Sequence, residues 1–283
     1  MRDAGRQAHL LTESKSGAVI QSAPATQFPA LAGIRIGCVK YLNAKPLISG
    51  YDGPVRLEHP SELARDIVRG ELDAALVPVF EALGSRPYLL VDGAAIASAG
   101  PVYSVFLAHR GPLEKIQSVA LDPASLTSVH LLQVLLAEYH GLKPRLLGLD
   151  EAAEADAQLI IGNQAIEFRA SATSDFQYLD LGEEWQKRTG LPFVYALWLL
   201  RPDLPGAHEV AREFRALKRD GVSRIAEIVR LEQEGTLEFR RRYLTQHIRF
   251  DLGPEEKAGL ERFRELLGIH GFVSKGPPSY SFV

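Results

Sequence analysis

Three short, almost wholly apolar stretches decide what this 283-residue chain can become: LDAALVPVF (72–80), AQLIIG (157–162) and FVYALWLL (193–200). They are too short for core helices and too apolar for strands with one wet face. Each therefore reads as a strand buried on both faces, the signature of an α/β sheet covered by helices. Ile34, Ile36 and Cys38 alternate with Arg35, Gly37 and Val39 in an earlier strand, 34–39. HPSELARDIVRG (59–70) follows with helical spacing: Pro60 and Ser61 mark the start, Leu63 and Ile67 share a face, and Gly70 suits a left-handed C′ position. Strand, helix, strand predicts a parallel pair with a crossover helix.

A second unit opens near Gly111. SVALD (118–122) reads as a strand, and PASLTSVHLLQVLLAEYHG as a helix whose apolar positions 129, 132, 135, 136 and 139 share a stripe, ended by Gly141. Further helices are predicted over 207–219, 222–234 and 255–267. Strands 103–109 and 193–200 bracket the middle unit, so they are the natural places for the chain to cross between two lobes. The expected organisation is a loose tail over 1–30, one lobe from 31–108 with 196–283, and a second from 109–195. Ligands of open α/β sheets sit beyond the carboxyl ends of the strands, here in a cleft between the lobes.

A formal charge of −3, from 32 basic and 35 acidic residues, leaves no positive excess for nucleic acid. Cys38 is the single cysteine, so no intrachain disulfide forms, and the eight histidines make no His-x-x-x-His pair. Residues 1–30 hold no apolar core like that of a signal peptide, and no run of 18 apolar residues exists to span a membrane. A cytoplasmic protein is expected. Walker, Gly-x-Gly-x-x-Gly, Gly-x-Ser-x-Gly and His-Glu-x-x-His motifs are all absent.

Polar residues at strand ends remain. In DPASLTSVHLL, Ser125, Thr127 and Ser128 open a helix directly after a buried strand. Free N–H groups and hydroxyls there form an anion cradle, although simple N-capping explains the same residues. Ser104 interrupts an apolar strand, where a serine is more often merely tolerated, and Asn163 follows IIG where a cap is expected. Asn43, in GCVKYLNAKPL, suits an N-cap with Pro46 at N3. Tyr41 is either core or pocket wall, Glu81 points to solvent, and Cys38 is a small buried hydrophobe rather than a nucleophile.

VKYLNAKPL, GELDAALVP, GPVYSVFL, LDPASLTSVHLLQVLL, AQLIIGNQAI and LGEEWQKRTGLPFVYALW occur in the order found in chorismate dehydratases of the futalosine route to menaquinone. YLTQHIRFDLGPEEKAGLERFRELL continues the match, so the chain resembles that family over about residues 33–270. The resemblance implies a type II periplasmic-binding-protein-like fold: two α/β lobes joined by two crossing strands, with the ligand between. It implies removal of water from chorismate to give 3-[(1-carboxyvinyl)oxy]benzoate, without metal or organic cofactor, by a monomer or homodimer. The Ser-Pro-Cys-Pro-Asn-Asp opening of the related 1,4-dihydroxy-6-naphthoate synthase is absent. A non-catalytic solute-binding protein is the other alternative on this fold.

Carried onto this sequence, the resemblance implies Asn43 and Ser104 as catalytic residues, with Tyr41, Lys40, Ser125, Thr127, Ser128 and Asn163 contacting substrate. Three positions depart from the family pattern: Leu126 replaces an arginine, Ala124 a serine and Asn163 an aspartate. Lys40 or Arg169 then becomes the candidate for a missing charged group. No side-chain base stands among these positions, which leaves the enolpyruvyl carboxylate of the substrate itself.

Overall fold

The computed structural model describes residues 27–121, 125–171 and 175–283. Most of the expected tail, and Ala124, lie outside these residues. The tail nevertheless ends earlier than residue 30. Phe28 and Leu31 are buried, and the Leu31 N–H donates to Glu213 Oε2 at 2.9 Å. Burial of two large apolar side chains outweighs the entropy of ordering a few residues.

The chain builds a first sheet, leaves it for a second, and returns. It begins with β1 (Ile36–Val39), β2 (Val55–Glu58), α1 (Pro60–Val68), β3 (Ala74–Pro78), the short α2 (Val79–Ala82) and β4 (Tyr88–Ser98). The second sheet takes β5 (Val105–His109), β6 (Ser118–Leu121), β7 (Arg145–Leu147), β8 (Ala157–Ile161) and β9 (Gln177–Asp180). It carries α3 (Leu126–Tyr139) and α4 (Gly162–Ser171), and α5 (Leu181–Thr189) leads back. β10 (Phe193–Leu200) rejoins the first sheet, followed by α6 (Ala207–Ser223), α7 (Ile225–Leu231), α8 (Leu237–Arg242), α9 (Pro254–Ile269) and β11 (Tyr280–Phe282). Strand orders are β11-β4-β10-β3-β1-β2 and β7-β6-β8-β5-β9.

The α/β class and two-sheet architecture follow the sequence pattern closely. β1 and β3 are parallel across α1, with Ile36 opposite Ala74. Gly70 (φ +70°) and Gly141 (φ +66°) end α1 and α3 in the left-handed region. The crossings, however, do not fall on strands 103–109 and 193–200. β5 lies between β8 and β9 in the second sheet, and β10 lies between β3 and β4 in the first. Strands buried along their whole length must pair on both sides to satisfy their backbone groups, so neither is free to span two sheets. Crossing is left to residues 99–104 and to α5. Residues 105–108 therefore go with the second sheet, and 193–195 with the first.

The two sheets share one apolar interior, running without a break from Ile36 and Leu76 through Trp198 to Leu107, Leu135 and Leu159. Trp185 of α5 packs between Phe193 of β10 and Phe263 of α9, at ring centroid distances of 5.2 and 5.9 Å. Among the described residues, a small cluster of Phe106, Ala108, Ile160 and Ala165 lies apart, on the other face of the second sheet. No helix among the described residues is long and apolar enough to cross a membrane.

Gly259 shows how close this packing is. In α9 it lies so near the Pro192 carbonyl that a Cβ would overlap backbone. Gly259→Ala gains about 1 kcal/mol in helix propensity but overpacks a rigid contact. The expected net result is destabilisation by about 1–3 kcal/mol, read as a lower urea midpoint at unchanged m-value.

Candidate functional site

β1 runs into an elbow that folds as a short 3-10 helix, Leu42–Leu47, with Tyr41 in the N-cap position. Asn43 is thus inside the turn and does not cap it. Its side chain points inward, and Nδ2 donates to the phenol oxygen of Tyr243 at 3.1 Å. Asn43 Oδ1 is buried and has no hydrogen-bond partner. The elbow is tied from outside by Asn163, the second residue of α4. Its Oδ1 accepts from Leu42 N–H at 3.2 Å, and its Nδ2 donates to Glu234 Oε1 at 2.9 Å. Asn163 is therefore a strut, neither helix cap nor cleft wall; Gly162 forms the wall instead. Gly162 sits at φ +63°, and a Cβ there would come within 2.6 Å of the Tyr41 ring.

The outgoing crossing ends on Ser104, just before β5. Tyr103 has φ 69°, alone among the described non-glycine residues in having positive φ. Such backbone costs about 1–3 kcal/mol and persists only where its surroundings enforce it. Asp180 enforces it here. Its carboxylate accepts from Val102 N–H at 3.0 Å and Tyr103 N–H at 2.8 Å, and also caps α5 through Gly182 and Glu183 N–H at 3.1 and 3.2 Å. Arg169 stacks on the Tyr103 ring at 4.4 Å and lies 3.5 Å from Asp180 Oδ2. This places the Ser104 hydroxyl 2.7 Å from the Tyr243 oxygen, while the Ser104 carbonyl accepts from Gly162 N–H at 2.8 Å.

The start of α3 forms the facing wall, with Ser125, Leu126, Thr127 and Ser128 all lining the cleft. The Ser125 side chain makes no cap hydrogen bond, and its hydroxyl is buried without a partner. Thr127 Oγ1 accepts the Phe80 N–H at 3.1 Å across the cleft, so its own O–H is left to donate. Val39, Pro60, Pro78, Ile96 and Tyr195 complete the wall on the first-sheet side. Burial holds the Tyr195 phenol well above its usual titration range. The space is about 550 Å³ with its open mouth included.

The structure gathers Tyr41, Asn43, Ser104, Ser125, Thr127 and Ser128 around one cleft, and leaves Lys40 and Asn163 outside it. Lys40 is half exposed and pairs with Glu58 at 3.1 Å. Its position one residue past β1 turns it away from Tyr41 and the cleft. Arg169 is occupied by Tyr103 and Asp180 and does not line the cleft either. Glu81 is half-buried, not solvent-directed, and accepts from Tyr88 Oη at 2.7 Å. The described lining residues include no lysine, arginine, histidine, aspartate or glutamate. Sequence reasoning missed Tyr243 and Asp180. Only Asp180 left a signal, an Asp followed three residues later by Glu183 at the head of a helix.

A family model described as menaquinone biosynthesis matches residues 34–268. The chorismate dehydratase of Thermus thermophilus is 31% identical over 262 residues, covering 83% of this chain and 95% of its own. That of Campylobacter jejuni is 27% identical over 225 residues, covering 79% and 88%. Among solved structures, a protein from Archaeoglobus fulgidus superposes with TM-score 0.66 at 18% identity, covering 85% of this chain and 98% of its own. An alkanesulfonate-binding protein of Xanthomonas axonopodis, bound to MOPS, gives 0.63 at 12%, covering 88% and 98%. A Candida albicans protein described as having the generic periplasmic binding protein fold gives 0.59 at 10%, covering 86% and 92%. These likenesses establish the fold expected from the sequence.

Two outcomes follow from the geometry. Cys38 is fully buried, and burial pushes its thiol up to about 12, leaving roughly one thiolate in 10⁴ at pH 8. Iodoacetamide at that pH should leave the native protein at its unmodified mass while alkylating it in urea. Asp180→Ala strips the acceptor from four N–H groups, each costing about 1–3 kcal/mol if left unmet. With partial relaxation the loss should reach about 3 kcal/mol in urea titration, and turnover should fall with it as Tyr103 relaxes.

Proposed function

Because the chain belongs to the menaquinone biosynthesis family, we propose that it is a chorismate dehydratase, removing water from chorismate to form 3-[(1-carboxyvinyl)oxy]benzoate. In reaction terms it is a hydro-lyase. The observation that carries the reading is the chemistry of the cleft. It is lined by hydroxyls, an amide and a helix start, with no ionised side chain among the described residues.

A dianion is compatible with such a cleft. The α3 macrodipole contributes only about 0.3–1 kcal/mol, but each hydrogen bond to a charged group adds roughly 1.5–3 kcal/mol. Ser125, Thr127 and Ser128 with the first-turn N–H groups of α3 hold one carboxylate. Neutral donors bind without desolvating a buried cation, whose cost in a cleft this apolar is several kcal/mol.

For the elimination, none of the described lining side chains takes a proton at neutral pH. Tyr195 stays protonated because it is buried, and an asparagine amide has no useful basicity. The substrate's enolpyruvyl carboxylate serves as the base. It takes the ring proton from the ether-bearing carbon, and that C–H pair becomes the third ring double bond. The neighbouring C–O bond breaks, and the departing hydroxide takes that same proton back from the carboxylic acid, so water leaves and the carboxylate is restored. Asn43 and Ser104 hold the departing hydroxyl. Positioning of groups within one molecule supplies on the order of 7–11 kcal/mol, so the protein's task is orientation and electrostatics.

The purified protein should convert chorismate to a species lighter by one water, faster than a protein-free control, as followed by mass-resolved chromatography. Asn43→Ala and Ser104→Ala should each lower kcat by about 10²-fold or more, the cost of losing one oriented donor. Cys38→Ser should leave it nearly unchanged. Tight binding of chorismate without turnover would make the protein a solute-binding member of the fold instead.

A further inference from the structure

Asn43 and Ser104 reach the cleft floor from different sheets, and one atom joins them: the phenol oxygen of Tyr243, 3.1 Å from Asn43 Nδ2 and 2.7 Å from Ser104 Oγ. Tyr243 belongs to neither sheet. It opens a single π-helical turn, Tyr243–His247, directly after α8, and its side chain is 1% exposed. Its ring is stacked on Phe239 at 5.6 Å.

The protons in this trio can be counted. An amide nitrogen only donates, so the phenol oxygen accepts from Asn43. The phenol is buried and Ser104 Oγ is its other hydrogen-bonded neighbour, so donation to Ser104 is the arrangement that keeps the phenol proton paired. The Ser104 hydroxyl is then already accepting, and its own proton is directed elsewhere. Asn43 Oδ1, at the other end of the trio, is buried with no partner. Two residues that line one cleft thus hold an unpaired donor and an unpaired acceptor. An alcohol is the group that satisfies both, accepting from Ser104 and donating to Asn43.

We propose that Tyr243 is a positioning residue that fixes the hydrogen-bond direction of this trio, making Ser104 a donor and Asn43 an acceptor toward one hydroxyl of the substrate. This rests on the dehydratase reading, in which that hydroxyl is the group that leaves. Hydrogen bonding from Ser104 stabilises it as it departs, and the phenol behind Ser104 strengthens that bond by polarising the chain.

Tyr243→Phe keeps the ring and deletes only the hydroxyl. Steady-state kinetics should show kcat reduced tenfold or more with KM for chorismate within twofold. In a Ser104→Ala background the same change should cost less than twofold, since the bond it supports is already gone. Incorporation of 3-fluorotyrosine at position 243 retains the hydrogen bond and should restore kcat to within threefold. Tyr88→Phe removes another buried phenol, one bonded to Glu81 and absent from the cleft lining, and should leave kcat unchanged. Binding supplies a readout independent of turnover. By calorimetry the wild type should bind chorismate at least tenfold more tightly than its 4-deoxy analogue, and Tyr243→Phe should lose most of that preference. Wild-type kcat in Tyr243→Phe, additive losses in the double variant, or equal binding of the two ligands would each overturn the proposal. If the wild type did not turn over chorismate but kept the tenfold preference, the dehydratase reading would fail while the hydroxyl pairing stood.

Discussion

One buried carboxylate holds together the two places where the chain passes between its sheets. Asp180 ends the last strand of the second sheet, caps the helix that leads back, and takes two N–H groups of the outgoing crossing, residues 102 and 103. Through that contact it enforces the one left-handed non-glycine residue among those described, Tyr103. The strained residue is adjacent to Ser104, and the strain orients the crossing so that the serine enters the cleft floor and not the sheet interior. Fold and site meet at this point: the same four hydrogen bonds close the architecture and set the position of a cleft-lining hydroxyl.

The cleft follows a second constraint, that charge is kept out of its described walls. Lys40, Arg169 and Glu81 all lie near it in sequence or space, and each is committed to a partner outside it. What remains are short neutral groups on stiff elements: an elbow, a strand start and the first turn of a helix. Such groups lose little conformational freedom when they bind, and their dipoles are already oriented before substrate arrives. A protein carboxylate in the same space would repel an anionic ligand, and the described walls carry none.

Much of the fold was legible because burial leaves a simple trace. β3, β8 and β10 are apolar runs, and α1 and α3 carry stripes and terminal glycines, so they stand out without any tertiary knowledge. β2 (VRLE) and β9 (QYLD) are edge strands with exposed residues, β11 has three residues, and none has a periodic signal. Their strand state is conferred by the neighbour they pair with. The candidate site divides likewise. Asn43 and the α3 hydroxyls could be found at strand ends, but the direction of a side chain in a tight turn could not, and Lys40 and Asn163 were placed in the cleft for that reason. Tyr243 lies 139 positions from Ser104 and 200 from Asn43. Nothing local in RRYLTQH marks its hydroxyl as the atom that joins them.

The unbroken interior beneath both sheets governs how anything enters the cleft. α3, which carries the hydroxyl-rich wall, packs against α5 and also against α9, while α9 rests on β10 of the first sheet. Lobes with separate cores swing about their linkers like the covers of a book. Here any such swing would tear open apolar surface, at about 25 cal/mol for each Å² exposed to water. A continuous interior of this kind resists a hinge between the sheets and favours small displacements that keep it dry. The layer that ties the two sheets in this way lies around Trp185 and Phe263, away from the cleft.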